Sequence, residues 1–348
     1  MIDISVIIPV WNTPKEYLQA CCESISKNNC AYEIIFVDDG SNQSTREYLR
    51  NLESNRIHIF FKKHEGISKA RNYGLKQAKG KYITHADSDD YFVPGILDRI
   101  LQEFQNLDTE LIIGMISRNR EVIDSDEDNE INRITSKINE TLFRELRIYY
   151  TNMNNPMFKY KTKWVNRAPH ARFMSRKLAL ETPFREEIPY CEDVIWNFDL
   201  LNNAQSVAVI SLLSYYYIDV PLSNTQKFRP DSREEINVLL SYYYKEIKHW
   251  PVEDRPQFEV ISLAYFSMLM RVYVFSGAEK DRKTHYWEMI CDPLWRKVFR
   301  SVQLHRLSGT SLLAGVLGKI KAYHIMYVIY TFRYLGIPKY YALFSMVH

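Results

Sequence analysis

The feature that most constrains this chain is an alternation of short apolar runs with helical patterns, with acidic residues clustered where two of the runs end. Residues 3–10 (DISVIIPV), 33–39 (EIIFVDD), 56–61 (RIHIFF), 81–87 (KYITHAD) and 110–117 (ELIIGMIS) read as strands. Residues 12–28, 66–80 and 94–107 read as helices. Such alternation predicts an α/β fold around a mostly parallel sheet with right-handed crossovers. In an open sheet of this kind, ligands bind beyond the carboxyl ends of the strands. Asp38-Asp39 and Asp87-Ser88-Asp89-Asp90 stand at two of those ends. Carboxylates crowded there repel one another unless a cation lies between them. A divalent Mg²⁺ or Mn²⁺ carrying a diphosphate suits hard oxygen ligands of this kind.

Local signals sharpen two of the helices. Thr13 reads as the N-cap of the first, with Pro14 at the first helical position and Glu16 completing a capping box. In the second, Ala70, Gly74 and Ala78 recur every four residues, a spacing that lets a helix lie close on a sheet.

Composition bounds the rest. The chain has 348 residues, enough for one large or two modest domains, and a net charge of +3 with no nucleic-acid motif, so no nucleic-acid partner is expected. The five cysteines form no Cys-x-x-Cys pair, which suggests reduced thiols in a cytosolic compartment. Asp3 interrupts the amino terminus and a strand begins at once, so no signal peptide is expected. Six acidic residues within 121–130 read as a solvated loop. From about residue 232 the pattern is helical.

The last part of the chain has its own character. No acidic residue follows Asp292, whereas eight basic residues do, among apolar and aromatic stretches such as AYHIMYVIYTF. That stretch of 11 uncharged residues is short of the about 20 that span a bilayer. Basic, apolar helices of this kind lie in membrane interfaces. A helical extension with a basic outer face is the alternative.

Four segments then occur in a telling order: SVIIPVWN, EIIFVDDGSNQST, GISKARNYGLKQAKGKYITHADSDDYFVPGIL and EDVIWN. Together they resemble family 2 glycosyltransferases, inverting enzymes of the GT-A fold. The match covers about residues 1–225 and is strongest over 1–100. It implies a GT-A domain over 1–225, with a nucleotide-sugar-binding half (1–100) and an acceptor half (101–225). Residues 226–348 would form a helical C-terminal region that associates with the membrane.

The resemblance also implies roles. Pro9, Trp11 and Asn12 would follow the first strand and line the nucleotide base. Asp39 would bond the base, with Asp38 either supporting the Gly40-Ser41 turn or touching the donor. Arg71 would reach the base or phosphate, or serve in a salt bridge. Asp87 would touch the ribose, beside Ser88, and Asp89 of the DxD motif would bind Mn²⁺ or Mg²⁺. Asp90 is expected to cap the YFVP segment, with a place behind the metal ligands as the alternative. Asp193 looks like the catalytic base, and Glu192 would orient the loop or a sugar hydroxyl; the alternative for the pair is an N-cap of a helix DVIWNFDLL, and Asp193 could serve both roles. Proton removal from the acceptor needs such a carboxylate, and the leaving diphosphate needs cationic neutralisation.

Between these clusters, Lys161, Lys163, Trp164, Arg167, His170 and Arg172 form a basic, aromatic segment. Family members place a flexible loop there, so acceptor or phosphate contacts are expected, with a bland surface loop as the alternative. His170 is expected to be structural or solvent-facing, or else a further metal or phosphate contact. Tyr217, Ser223 and Thr225 would approach the diphosphate. His85 and Ala86 depart from the bulky apolar residues usual before the DxD, close to the expected donor pocket.

The function implied is metal-dependent, inverting transfer of a sugar from a nucleotide-sugar, expected to be a UDP-sugar. The acceptor would be a saccharide or lipid-linked oligosaccharide in cell-surface polysaccharide synthesis. The place would be the cytoplasmic face of the inner membrane, as a peripheral protein. A non-catalytic GT-A-like scaffold and a GT-A nucleotidyltransferase are the rivals. PVWNTPKEY lacks the glycine-rich, basic loop of the latter.

Overall fold

The computed structural model describes residues 1–117, 134–137, 146, 168–188, 191–218, 228 and 230–335. The chain forms two compact units, Met1–Tyr150 with Tyr160–Val220, and Thr151–Lys159 with Pro221–His348.

The first unit begins β1 (Ile4–Val10), α1 (Lys15–Ser26), β2 (Tyr32–Asp39), α2 (Gln43–Leu52), β3 (Ile57–Lys62), α3 (Ile67–Gln77) and β4 (Tyr82–His85). It continues with β5 (Tyr91–Phe92), α4 (Ile96–Leu107), β6 (Leu111–Ser117), β7 (Ile134–Lys137), β8 (Arg172–Ser175), α5 (Arg176–Glu181), α6 (Glu192–Asn203) and β9 (Ser206–Tyr216). The sheet order is β3-β2-β1-β4-β8-β6-β9-β5, with β7 also paired to β9. β3, β2, β1 and β4 are parallel. β8 then enters antiparallel between β4 and β6, so the sheet is mixed from there on.

The parallel half follows directly from its side chains. β1 and β2 are buried along their whole length, as continuous apolar runs covered on both faces must be. α3 lies close on them through Gly74, where an added Cβ would stand 2.6 Å from Ile7 Cγ2. The small-residue spacing therefore does what its pattern suggests.

Two local expectations change. α2 is not part of the sequence reading, because it is mostly polar and buries only Thr45 and Leu49. It is held instead by its cap: the Asn42 side chain accepts the Thr45 N–H at 3.0 Å. Thr13 does not cap α1. That helix starts at Lys15 with no side-chain cap, and the Thr13 hydroxyl sits 2.6 Å from that of Ser88. A buried hydroxyl partner from a distant segment has displaced the local one.

The second unit is helical over its described residues: α7 (Ser232–Ile247), α8 (Gln257–Leu269), α9 (Arg282–Cys291), α10 (Pro293–Ser301), α11 (Gly309–Lys319) and α12 (Tyr323–Leu335). α8 runs on into a π-helical turn, Met270–Phe275. Gln257–Phe275 is the one described helix long and apolar enough to cross a bilayer, and 72% of it is buried within the protein. Phe266 on this central helix meets Trp295, Phe299 and Tyr330 edge-on. α10 starts as its sequence dictates, with Asp292 accepting the Leu294 N–H at 2.9 Å and Pro293 in the first turn.

Candidate active site

The site is built at the carboxyl ends of β1, β2 and β4. At the end of β2, the buried Asp38 accepts the Ser41 N–H at 3.1 Å and is paired with Arg46 at 2.9 Å. It supports the turn through Gly40, whose φ of 80° only glycine adopts without strain. Asp39 accepts the N–H groups of Glu65 and Gly66 at 2.9 and 2.8 Å, and its Oδ2 lies 2.9 Å from His64 Nδ1. Both carboxylates thus fix the loops that frame the site.

The three residues expected to line a base separate. Pro9 does not follow β1 but lies within it, buried and level with Val37. A proline is tolerated there because β4 pairs only as far as Ile7, so no ladder N–H is missing. Asn12 takes a left-handed φ of 55° and its side chain accepts the Asn42 N–H at 2.7 Å. Trp11 turns outward, exposed, with its ring stacked on His64 at 4.9 Å.

The Asp87–Asp90 segment follows β4 and meets three distant parts of the chain. Arg71, buried on α3, donates to Asp87 at 2.9 Å and to Glu192 at 3.2 Å. Burial opposes the Arg71 charge, but Asp87, Glu192 and Asp193 together outweigh it and hold the guanidinium firmly protonated. His170 Nε2 lies 3.1 Å from Asp87 Oδ2, and its ring stacks on Tyr215 at 4.7 Å. The Tyr215 hydroxyl accepts the Asp87 N–H at 2.9 Å. Burial pushes the Asp87 carboxyl up, yet His170 and Arg71 win and its pKa falls below the usual range.

The neighbouring carboxyls shift the other way. Burial, reinforced by the Asp87 charge, raises Asp89. Asp90 is pushed up to about 7, chiefly by burial. Asp90 does not cap the segment after it: residues 91–92 form β5, and Oδ1 instead accepts the Ile218 N–H at 2.7 Å. Its Oδ2 is buried without a hydrogen-bond partner, as is His170 Nδ1. Among the described residues, Asp87, Asp90 and His170 bring ligand atoms within 4.8 Å of one another, a set that can hold a cation. Asp89 is not in that set.

Glu192 and Asp193 open α6, where the helix dipole favours acidic groups. Cys191 before them takes a left-handed φ of 59°. Asp193 Oδ1 lies 2.8 Å from the Val194 N–H.

His170 and Arg172 are not on a flexible loop. Arg172 starts β8, fully buried, donating to Asn197 at 2.9 Å and to the His170 carbonyl at 2.8 Å. It supports His170 from behind and is not free to reach an acceptor. His170 faces the carboxylates and not solvent. His85 lies edge-on to Phe184 and Trp196, and burial presses its pKa well below the ordinary value. It is an interior residue, close enough to Arg71, His170 and Asp87 to feel their charges. Tyr217 donates its backbone N–H to Ser117. Lys161, Lys163, Trp164, Arg167, Ser223, Thr225 and residues 121–130 lie outside the described residues. Tyr215, Phe184 beneath Arg71, and the Ile218 N–H are absent from the sequence reading. The aromatic run around Tyr215 carried the only signal.

Comparison with known proteins fits this frame. The chain is 37% identical over 115 residues to glycosyltransferase GlyG of Streptococcus pneumoniae, covering 32% of this chain and 38% of that protein. It is 25% identical over 218 residues to the putative glycosyltransferase EpsH of Bacillus subtilis, covering 62% and 60%. It is 34% identical over 119 residues to the chondroitin synthase of Pasteurella multocida, covering 33% and 12%. The chain thus spans 38%, 60% and 12% of these relatives' lengths, under two thirds in each case. Crystal structures of S. aureus TarS 1–349, alone and with UDP-GlcNAc, superpose with TM-scores of 0.60 and 0.63. They cover 97% and 96% of this chain and 92% of that one, at 18% and 16% identity, a likeness of fold. The mixed α/β architecture with its helical C-terminal region is thus the GT-A arrangement. Residues 5–181, just over half of the chain, match the model for glycosyl transferase family 2, and the chain belongs to that family.

Proposed function

We propose that this chain transfers a sugar from a UDP-sugar to a hydroxyl of a saccharide or lipid-linked acceptor, with inversion and with a divalent cation. One observation carries the reading: Arg71 ties the carboxylate segment after β4 to the Glu192-Asp193 pair that opens α6. Groups suited to a metal diphosphate and a carboxylate suited to proton removal therefore share one polar cluster. The crystal structure of TarS with UDP-GlcNAc supports the donor class, and the similarity to a chondroitin synthase supports polysaccharide synthesis.

In this reading Asp193 takes the acceptor proton as the new bond forms. Glu192, held by Arg71, sets the start of α6 and with it the aim of Asp193. Trp11 offers the base a face, Asp39 and Ser88 frame the pocket, and Asp38 and Asn12 hold its loops. Asp87, Asp90 and His170 fit a cation by their donor set and by the orphaned Asp90 Oδ2. Asp89 would join them from the diphosphate side. Two or three carboxylate oxygens with an imidazole suit Mn²⁺, which would neutralise the leaving diphosphate. Residues 1–225 would perform the transfer, and residues 226–348 would hold the enzyme at the membrane face where its acceptor lies.

Thermal unfolding with Mn²⁺ and a series of nucleoside diphosphates tests this. UDP at 100 times its dissociation constant should add about 2.7 kcal/mol, only with metal, and Asp89→Ala should abolish the gain. Product analysis then separates transfer, which frees UDP, from nucleotidyl transfer, which handles pyrophosphate. No response to any nucleotide would overturn the reading in favour of a non-catalytic shell.

A further inference from the structure

α11 carries Leu312, Val316 and Ile320 four residues apart, all exposed, so they line one face of the helix. α12 exposes Ile325 and Phe332, seven apart and again on one face. The two stripes run toward the corner between the helices, where Ile320 is 68% exposed and Ile325 57%. Isolated exposed apolar residues are ordinary, but two isoleucines more than half exposed at one helix–helix turn, each continuing an exposed apolar position on its own helix, mark an interaction surface.

The turn itself is built around a cation. Lys321 takes φ 58°, a left-handed position that ordinarily holds glycine. The Lys321 and Ala322 N–H groups close α11 onto the Gly318 and Leu317 carbonyls at 3.1 and 2.8 Å. Lysine thus stands where glycine would relieve strain, with an exposed isoleucine on either side. Lys319 is spent elsewhere, donating to the Arg300 and Val302 carbonyls at the end of α10. Arg333, exposed on α12, adds a second cation near Phe332. Neither helix has an acidic residue, and none occurs after Asp292.

We infer that the α11–α12 corner docks on an anionic lipid bilayer, with Ile320 and Ile325 entering the interface and Lys321 and Arg333 meeting the lipid phosphates. Charge selects this occupant: two helices with exposed apolar residues, exposed cations and no acidic residue of their own complement anionic headgroups over an acyl layer. The inference rests on the membrane-face part of the reading above and names the surface that serves it.

Co-sedimentation of the full chain with vesicles tests it. One set is phosphatidylcholine alone and the other is equal parts phosphatidylcholine and phosphatidylglycerol. Binding is expected to the second set only, and to weaken with salt. Ile320→Glu with Ile325→Glu should weaken it about tenfold or more. Lys321→Gly should weaken it about fivefold without loss of thermal stability, because glycine suits that turn. Equal binding to both vesicle sets, no binding, or indifference to these variants would overturn the proposal. So would a concentration-dependent dimer that the same variants abolish, since a second copy would then be the occupant. All variants should keep the metal-dependent response to UDP. If wild type lacks that response yet binds anionic vesicles, the transfer reading fails and the docking surface stands.

Discussion

Arg71 Nη1 lies 3.2 Å from Glu192 Oε1, joining residues 121 apart in the chain. The same guanidinium holds Asp87, so one buried cation sets the distance between the two acidic segments. Arg71→Met would leave both carboxylates facing each other without their cation. Removing one member of such a buried set costs about 3 kcal/mol, readable as a lower urea midpoint. Arg71→Lys should recover little of it, because an ammonium lacks the fork that spans two partners.

Asp90 gives a pH signature in metal-free protein. Burial raises its folded pKa to about 7, above the unfolded value of about 4. The folded state therefore binds this proton more tightly. The stability it confers is complete below about pH 4 and is lost as pH rises through about 7. Asp90→Asn should flatten this fall, and at pH 8 with EDTA it should unfold at a higher temperature than wild type. Mn²⁺ should then stabilise wild type more than the variant.

Thr13 and Ser88 share a buried hydroxyl contact at 2.6 Å. Thr13→Val should cost about 1 kcal/mol. Glu16→Ala should cost less than about 0.5 kcal/mol, because no capping box exists for it to break. Chemical denaturation of the two variants side by side checks the ordering.

Gly74→Ala would place a methyl 2.6 Å from Ile7 Cγ2 and 3.2 Å from Val37 Cγ2. Alanine favours a helix over glycine by about 1 kcal/mol. Overpacking against two strands should outweigh that gain, at about 1–3 kcal/mol, and lower the melting temperature.

Asp193→Asn should reduce transfer by about 10²–10⁴-fold, the loss of a general base. UDP binding and thermal midpoint should stay near wild type, because the amide keeps the oxygen that faces the Val194 N–H at 2.8 Å. A large change in nucleotide affinity would instead assign Asp193 to the donor.

The legible parts of the chain were those whose cause is local. β1 and β2 are unbroken apolar runs, and α3 announces its contact with the sheet through Gly74. α2 was invisible because its polar sequence offers two buried positions and it depends on a single asparagine cap. β5 and β8, at two and four residues, are too short to show a period. Their pairing to β9 and to β4 and β6 is what turns the sheet mixed.

The candidate site divides along the same line. The sequence by itself determined which carboxylates end the strands, since the apolar runs place them. Only the tertiary structure decided what each polar group touches. Thr13 left its helix for Ser88, Asp90 turned to the Ile218 N–H, and Arg172 was buried against Asn197. His170 itself came from a segment that reads as a surface loop to lie 3.1 Å from Asp87. A buried donor or acceptor takes whichever partner the fold brings within about 3 Å. Those partners lie tens of residues away, beyond the reach of any local pattern.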